Sequence, residues 1–205
     1  MKKLLAIVLA ALLLLLSLAA CATKGDATND TTVPDTAVPD TTTAEPEKTV
    51  DPLALLTTVW NAYPEEDRFS AIGGDIGGEN MTEDAPGVFS ITDPAEVDRN
   101  LGYPAAQGDQ LETAASLTHM LNANTFTAGA YLIKDGADMD ALAKELEKNI
   151  QSRQWICGFP DRLLVAYVGN CLIGVFGAED LVQVFQDQLS AIFADVVIVS
   201  TAAID

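Results

Sequence analysis

Histidine, cysteine, aromatic rings and positive charge are all scarce in this chain of 205 residues. Its one histidine, His119, excludes a metal centre built on several imidazoles and leaves any nucleophile–base pair a single possible base. Basic side chains number 11 against 30 acidic ones. All the acidic residues follow position 20 while Lys2 and Lys3 precede it, so nine positive charges face 30 negative ones from residue 21 onward, a net charge of −21. A field of that sign repels nucleic acid and anionic headgroups, so no nucleic-acid partner is expected. No G-x-S-x-G nucleophile elbow occurs, and the run Gly73-Gly74-Asp75-Ile76-Gly77-Gly78 lacks the lysine of a phosphate loop.

What the chain does have begins at its start. Lys2 and Lys3 form a positive n-region, Leu4 to Leu16 an apolar h-region, and Ser17 to Ala20 a zone of small residues, the order of a secretory signal. Leu18-Ala19-Ala20-Cys21 resembles the bacterial lipobox. That resemblance implies cleavage before Cys21, a diacylglycerol on its sulfur, and a protein anchored to the outer side of the cytoplasmic membrane. Two acyl chains suffice for stable anchoring, where one does not. The rival, an uncleaved spanning helix over 4–20, sits at the short limit of about 17 residues and gives the same topology, with the lysines inside. With Cys21 lipidated, only Cys157 and Cys171 remain for a disulfide.

Residues 21–50 are rich in Thr, Asp, Pro and Ala and poor in large apolar side chains, so they read as a disordered tether. Val33 to Thr36 and Val38 to Thr41 both spell VPDT, favouring extended polyproline II geometry. Thirty such residues reach at most about 90 Å at roughly 3.1 Å each, and nearer 30 Å as a coil. Residues 51–205 suffice for one domain with a real core.

Within that domain Asp51 and Pro52 open a short helix whose stripe is Leu53, Leu56, Val59 and Trp60, ended by Pro64. The glycine-rich stretch from Ile72 to Gly87 reads as loop, followed by a brief strand over 88–91. Asp93-Pro94 starts a second helix running to about Leu101. Leu111 to Leu121 fits a helix or a strand, with strand favoured in its second half, because Asn122-Ala123-Asn124 is turn chemistry and Thr125 to Ile133 is rich in strand formers. Asp138 caps a helix marked by Met139, Leu142, Ala143, Leu146 and Ile150, with Lys148 and Arg153 near its C-terminal dipole.

Leu163 to Gly177 reads as an apolar hairpin turning at Gly169-Asn170. Cys171 then lies at the turn and Cys157 beyond the far end, roughly 17 Å away at about 3.3 Å per residue, so two free, mostly buried thiols are expected. A helix from Glu179 carries Leu181, Phe185, Leu189 and Ile192, and a last strand covers 196–200. The order strand-strand-helix, strand-strand-helix, strand predicts an α+β fold: an antiparallel sheet of hairpins with helices packed on one face. Thr125 to Lys134, the helix after Asp138, the loop ending near Pro160, the hairpin and the final helix together resemble a family of bacterial lipoproteins known as domain of unknown function 4358. The likeness covers about the last hundred residues and implies a Gram-positive cell-surface setting, with no activity, cofactor or catalytic residue to carry over.

Three kinds of chemistry are compatible with the rest. Trp155 and Phe159 lie in the loop 154–162, where rings can stack on a glycan or grip a peptide, and Tyr131 and His119 complete the candidate ligand patch. Asp75, Glu79, Asn80, Glu83 and Asp84 are oxygen donors for calcium, although their spacing does not match D-x-[DN]-x-[DN]-G. Ser116 or Cys157 with His119, or a carboxylate pair, supplies the parts of an envelope hydrolase. The expectation is a membrane-anchored binding or interaction module with an envelope glycan or protein partner and no cofactor; a hydrolase and a calcium-binding surface protein are the alternatives.

Overall fold

The computed structural model describes residues 49–204. The expected signal peptide, Cys21 and all but the end of the tether lie outside these residues. No described helix is long and apolar enough to cross a membrane.

Three aspartates start three of the four α-helices among the described residues. Asp51 accepts from the Ala54 amide at 2.7 Å ahead of α1 (Pro52–Asn61), Asp93 from Ala95 at 2.9 Å ahead of α2 (Pro94–Leu101), and Asp138 from Ala141 at 3.0 Å ahead of α3 (Met139–Gln151). Each satisfies an amide that the first turn leaves without a helical partner. The fourth, α4 (Glu179–Ile192), has no side-chain cap, but places Glu179 and Asp180 at the positive end of its dipole.

Among the described residues eight strands form one sheet: β1 (Ala71–Gly73), β2 (Thr82–Glu83), β3 (Gly87–Phe89), β4 (Leu111–His119), β5 (Phe126–Ile133), β6 (Arg162–Val168), β7 (Cys171–Gly177) and β8 (Val197–Ala203). The spatial order is β2-β1-β4-β5-β7-β6-β8, every pairing is antiparallel, and β3 joins β1 along the outer side of β4. The ambiguous segment from Leu111 to Leu121 is therefore strand as far as His119. The glycine-rich stretch is mostly loop, as expected, but also contributes two residues of β1, all of β2 and the first residue of β3.

The expected antiparallel sheet of hairpins covered by helices is present, but the helices cover both faces where one was expected. Phe126, Ala128 and Ala130 of β5 and Leu164, Ala166 and Val168 of β6 point into a core shared with α1 and α4. Their neighbours Tyr131, Ile133, Leu163 and Val165 point into a second core with α2 and α3. Strand order explains the division. The crossovers β5-α3-β6 and β7-α4-β8 both step two places the same way across the sheet, but they leave from antiparallel strands. One handedness, the rule for such connections, then sends α3 and α4 to opposite faces. Burial on both sides also accounts for the unbroken apolar run of the β6–β7 hairpin.

The two ends of the sheet differ in what they carry. At one end the chain arrives at Val50, whose amide donates to Asn170 Oδ1 at 3.2 Å in the β6–β7 turn. At the other end lie the β4–β5 turn, the loop from α3 to β6, and the start of α4. The seven-residue strands between them put the ends about 20 Å apart at roughly 3.3 Å per residue.

Candidate functional site

Tyr131, expected in a ligand patch, is wholly buried. Its hydroxyl donates to Leu101 O at 2.8 Å and its ring packs against Tyr103, with centroids 4.9 Å apart. The ring fits because Gly129, two residues back on the same face, has no side chain: a Cβ there would strike the Tyr131 ring. Gly174, paired with Gly129 in the neighbouring strand, opens the same space for Leu146 of α3. Tyr131 is thus a core residue locking α2 to the sheet, and burial pushes its pKa far above the ordinary tyrosine value.

Trp155 is likewise occupied. Its ring packs on Phe176 at 5.1 Å, and the Arg153 guanidinium lies over both rings, 5.0 and 5.3 Å from their centroids. Arg153 does not serve the C-terminus of its own helix, as its position suggested. It reaches across to donate to Arg99 O in the last turn of α2, and its burial draws its pKa down against the opposing pull of Asp98. His119 lies on the other face, stacked on Phe69 at 5.4 Å, with Nδ1 accepting from the Leu121 amide at 3.3 Å. The four expected ligand residues therefore do not form one patch.

Of the candidate nucleophiles, Ser116 is committed to structure and the two cysteines lie at opposite ends of the sheet. Ser116 is buried, its hydroxyl donating to Gly74 O at 3.2 Å and accepting from Gly74 N at 2.9 Å, so it pins the glycine segment to β4. Cys157 is exposed, correcting the expectation that both thiols are buried, and its carbonyl accepts from Asn122 at 3.1 Å. Cys171 is free and buried at the opposite end of the sheet, its thiol pKa pushed up to about 12 by desolvation.

Among the described residues, no three His, Cys, Asp or Glu side chains, Asp75, Glu79, Glu83 and Asp84 included, are grouped to hold a metal. Asp75 instead accepts from Ser90 N at 2.7 Å and from Asn80 Nδ2 at 3.0 Å, bracing the segment from inside. Asp84 offers its backbone carbonyl to Trp60 Nε1 at 3.0 Å. The glycines serve close backbone approach: a Cβ on Gly73 would fall on Gly87 N and Ala85 O. A groove of about 460 Å³ runs between this segment and α2, lined in part by Asp75, Asp93, Glu96 and Arg99. Asp75 braces the segment, Asp93 caps α2 and Glu96 pairs with Arg99, so these carboxylates already hold structure.

The feature that stands apart is the end of the sheet opposite Val50. Leu121 is 82% exposed, Ile156 78%, Phe159 77% and Met120 50%. Turn and loop are fastened together here. Asn124 Nδ2 donates to Ile156 O and to Gly158 O, both at 2.9 Å, while Asn122 Nδ2 donates to Cys157 O. The Met120 amide donates to Ser70 O at 2.9 Å, tying in the segment before β1. Cys157 sits in the left-handed region at φ 64°, a conformation these bonds hold against its side chain. Of the expected ligand residues, only Phe159 is presented at this tip as a free ring. The asparagines were legible as turn residues; their second role, gripping a loop more than 30 positions away, has no local signal.

No family model, no curated protein and no solved structure matches the chain.

Proposed function

We propose that this chain is a lipid-anchored protein of the cell envelope whose folded domain is a non-catalytic interaction module, working through the tip around Leu121, Ile156 and Phe159. The resemblance of Leu18 to Cys21 to a lipobox supports the anchor, with Cys21 as the acylated residue and the tether as its reach. The observation that carries the interaction reading is the tip itself. Four large apolar side chains stand in solvent there, on a turn and a loop braced by three asparagine hydrogen bonds. Exposed apolar groups grouped in one place mark interaction surfaces, whereas single ones do not. Val50 enters the sheet at the end opposite the tip.

The test uses cells carrying the wild-type chain, Cys21→Ala, or the triple variant Leu121→Ser, Ile156→Ser, Phe159→Ser. Cys21→Ala should lose incorporation of a labelled fatty acid and release the protein from washed membranes. A photocrosslinker at Met120 should trap one envelope component in the wild type and none in the triple variant. If the triple variant gives the same adduct as the wild type, the tip is not the interaction site.

A further inference from the structure

We infer that the tip takes a polypeptide segment carrying a large apolar side chain flanked by lysine or arginine; this rests on the interaction reading above and names its partner class. The tip is apolar at its summit and acidic at its base. A shallow groove of about 130 Å³ lies beside the loop, with Phe159 and Asp161 among its walls and Asn122 and Asn124 beneath. Asp161 is exposed, its amide donates to Gly177 O at 2.9 Å, its carbonyl accepts from Ile204 at 3.0 Å, and one carboxylate oxygen, Oδ2, accepts from the Glu179 amide at 3.4 Å, holding the side chain and leaving Oδ1 toward solvent. An open ring face beside a fixed carboxylate is the pairing that receives an ammonium or guanidinium group.

The charges around the groove agree. Glu179 and Asp180 begin α4 immediately after the groove residue Ala178, and Glu65, Glu66 and Asp67 form the turn before Phe69 on the other side. Three arginines lie at this end and each is engaged. Arg162 is paired with Glu179 at 3.0 Å; Arg68 lies over the Trp60 ring and donates to Trp60 O and Asn61 O; Arg153 lies over Trp155 and Phe176 on the other face and donates to Arg99 O. The balance around the apolar summit is therefore negative, which favours a cationic partner and slows approach of a like-charged one. A second copy of this chain carries the same acidic tip, and an anionic lipid surface is repelled by it.

The experiment uses the protein purified from membranes into nanodiscs of zwitterionic lipid. Three fluorescent peptides share the core Leu-Phe-Leu and differ in flanks: two lysines, two serines or two glutamates on each side. Anisotropy should show the lysine peptide binding at least tenfold more tightly than the glutamate peptide. Phe159→Ser should weaken it roughly tenfold, and Asp161→Asn about two- to fivefold, while Glu112→Gln at the opposite end of β4 changes nothing. Equal binding of all three peptides, still abolished by Phe159→Ser, would overturn the partner class and leave the tip standing as an interaction site. Lysine-peptide binding that ignores Phe159→Ser, or responds equally to Glu112→Gln, is bulk charge attraction and overturns the inference. Recruitment of the protein to anionic vesicles through Phe159 would overturn it in favour of a lipid surface.

Discussion

Replacing Asn124 with alanine removes two of the three hydrogen bonds that hold the 156–158 loop against the β4–β5 turn, those to Ile156 O and Gly158 O. Both carbonyls lie at the surface and can turn to water, so no buried acceptor is orphaned and the cost is the net worth of the bonds. At about 0.5–1.5 kcal/mol each the pair contributes roughly 1–3 kcal/mol, and water access places the loss in the lower half of that range. The rest of the loop keeps its anchors, Trp155 on Phe176 and the buried Pro160, so opening should stay within 156–158. Backbone ¹⁵N relaxation reads this directly: order parameters of these residues should fall from about 0.85 to below about 0.6, with β6 and β7 unchanged. A global loss of 1–2 kcal/mol would lower Tm by roughly 2–8 °C for a domain of this size. Asn122→Ala removes only one of the three bonds to the loop, together with the turn bond its Oδ1 accepts from the Asn124 amide at 3.0 Å, and should loosen 156–158 less. If 156–158 stays as rigid in Asn124→Ala as in the wild type, the asparagines do not hold the tip and the bracing argument fails.

Further outcomes follow from the same geometry. Gly73→Ala drives a Cβ into the backbone of Gly87 and Ala85 and should cost about 3 kcal/mol or more in urea denaturation. Gly77→Ala meets open space and carries only the left-handed penalty, about 1–2 kcal/mol; equal costs would contradict the close-approach account. In the Cys21→Ala protein, a thiol reagent should modify Cys157 at once and Cys171 only on unfolding; rapid reaction of both would place Cys171 wrongly. Tyr131→Phe leaves Leu101 O buried without its donor and should cost about 1–3 kcal/mol, read as a lowered urea midpoint. Burial raises the folded-state pKa of Cys171 from 9.0 to about 12, and raises those of Tyr63, Tyr103 and Tyr131 above 10.0. Below pH 9 these groups are protonated in both states and their burial costs nothing. Above it the unfolded chain releases protons that the folded chain retains, so stability should fall as pH rises from about 9 to 12; a flat urea midpoint across that window would refute it.

Local chemistry was legible wherever it acts over a few residues. Asp51, Asp93 and Asp138 marked helix starts by their place before a proline or an apolar stripe, and Gly169-Asn170 marked the hairpin turn. The glycine-rich stretch is mostly loop, as its composition indicates, but the short strands inside it were not legible because Gly73 and Gly87 owe their identity to each other's backbone, a contact that local sequence does not display. The candidate patch failed for a similar reason. Tyr131 and His119 occupy strand positions of opposite parity in effect, one in the core beneath α2 and the other beside Phe69. Trp155 was absorbed by Arg153 and Phe176. Only Phe159 reached solvent.

By itself the sequence determined the α+β class, the hairpins, the capped helices, the negative field and the lipobox-like motif at Cys21, because each depends on near neighbours or on composition. Tertiary structure decided the strand order β5-β7-β6-β8, and with it the burial of the sheet on both faces. It also decided which exposed side chains share a surface. Asn122 and Asn124 bind backbone carbonyls at 156–158 across a crossover, and that juxtaposition, which makes the tip, exists only once the sheet has formed.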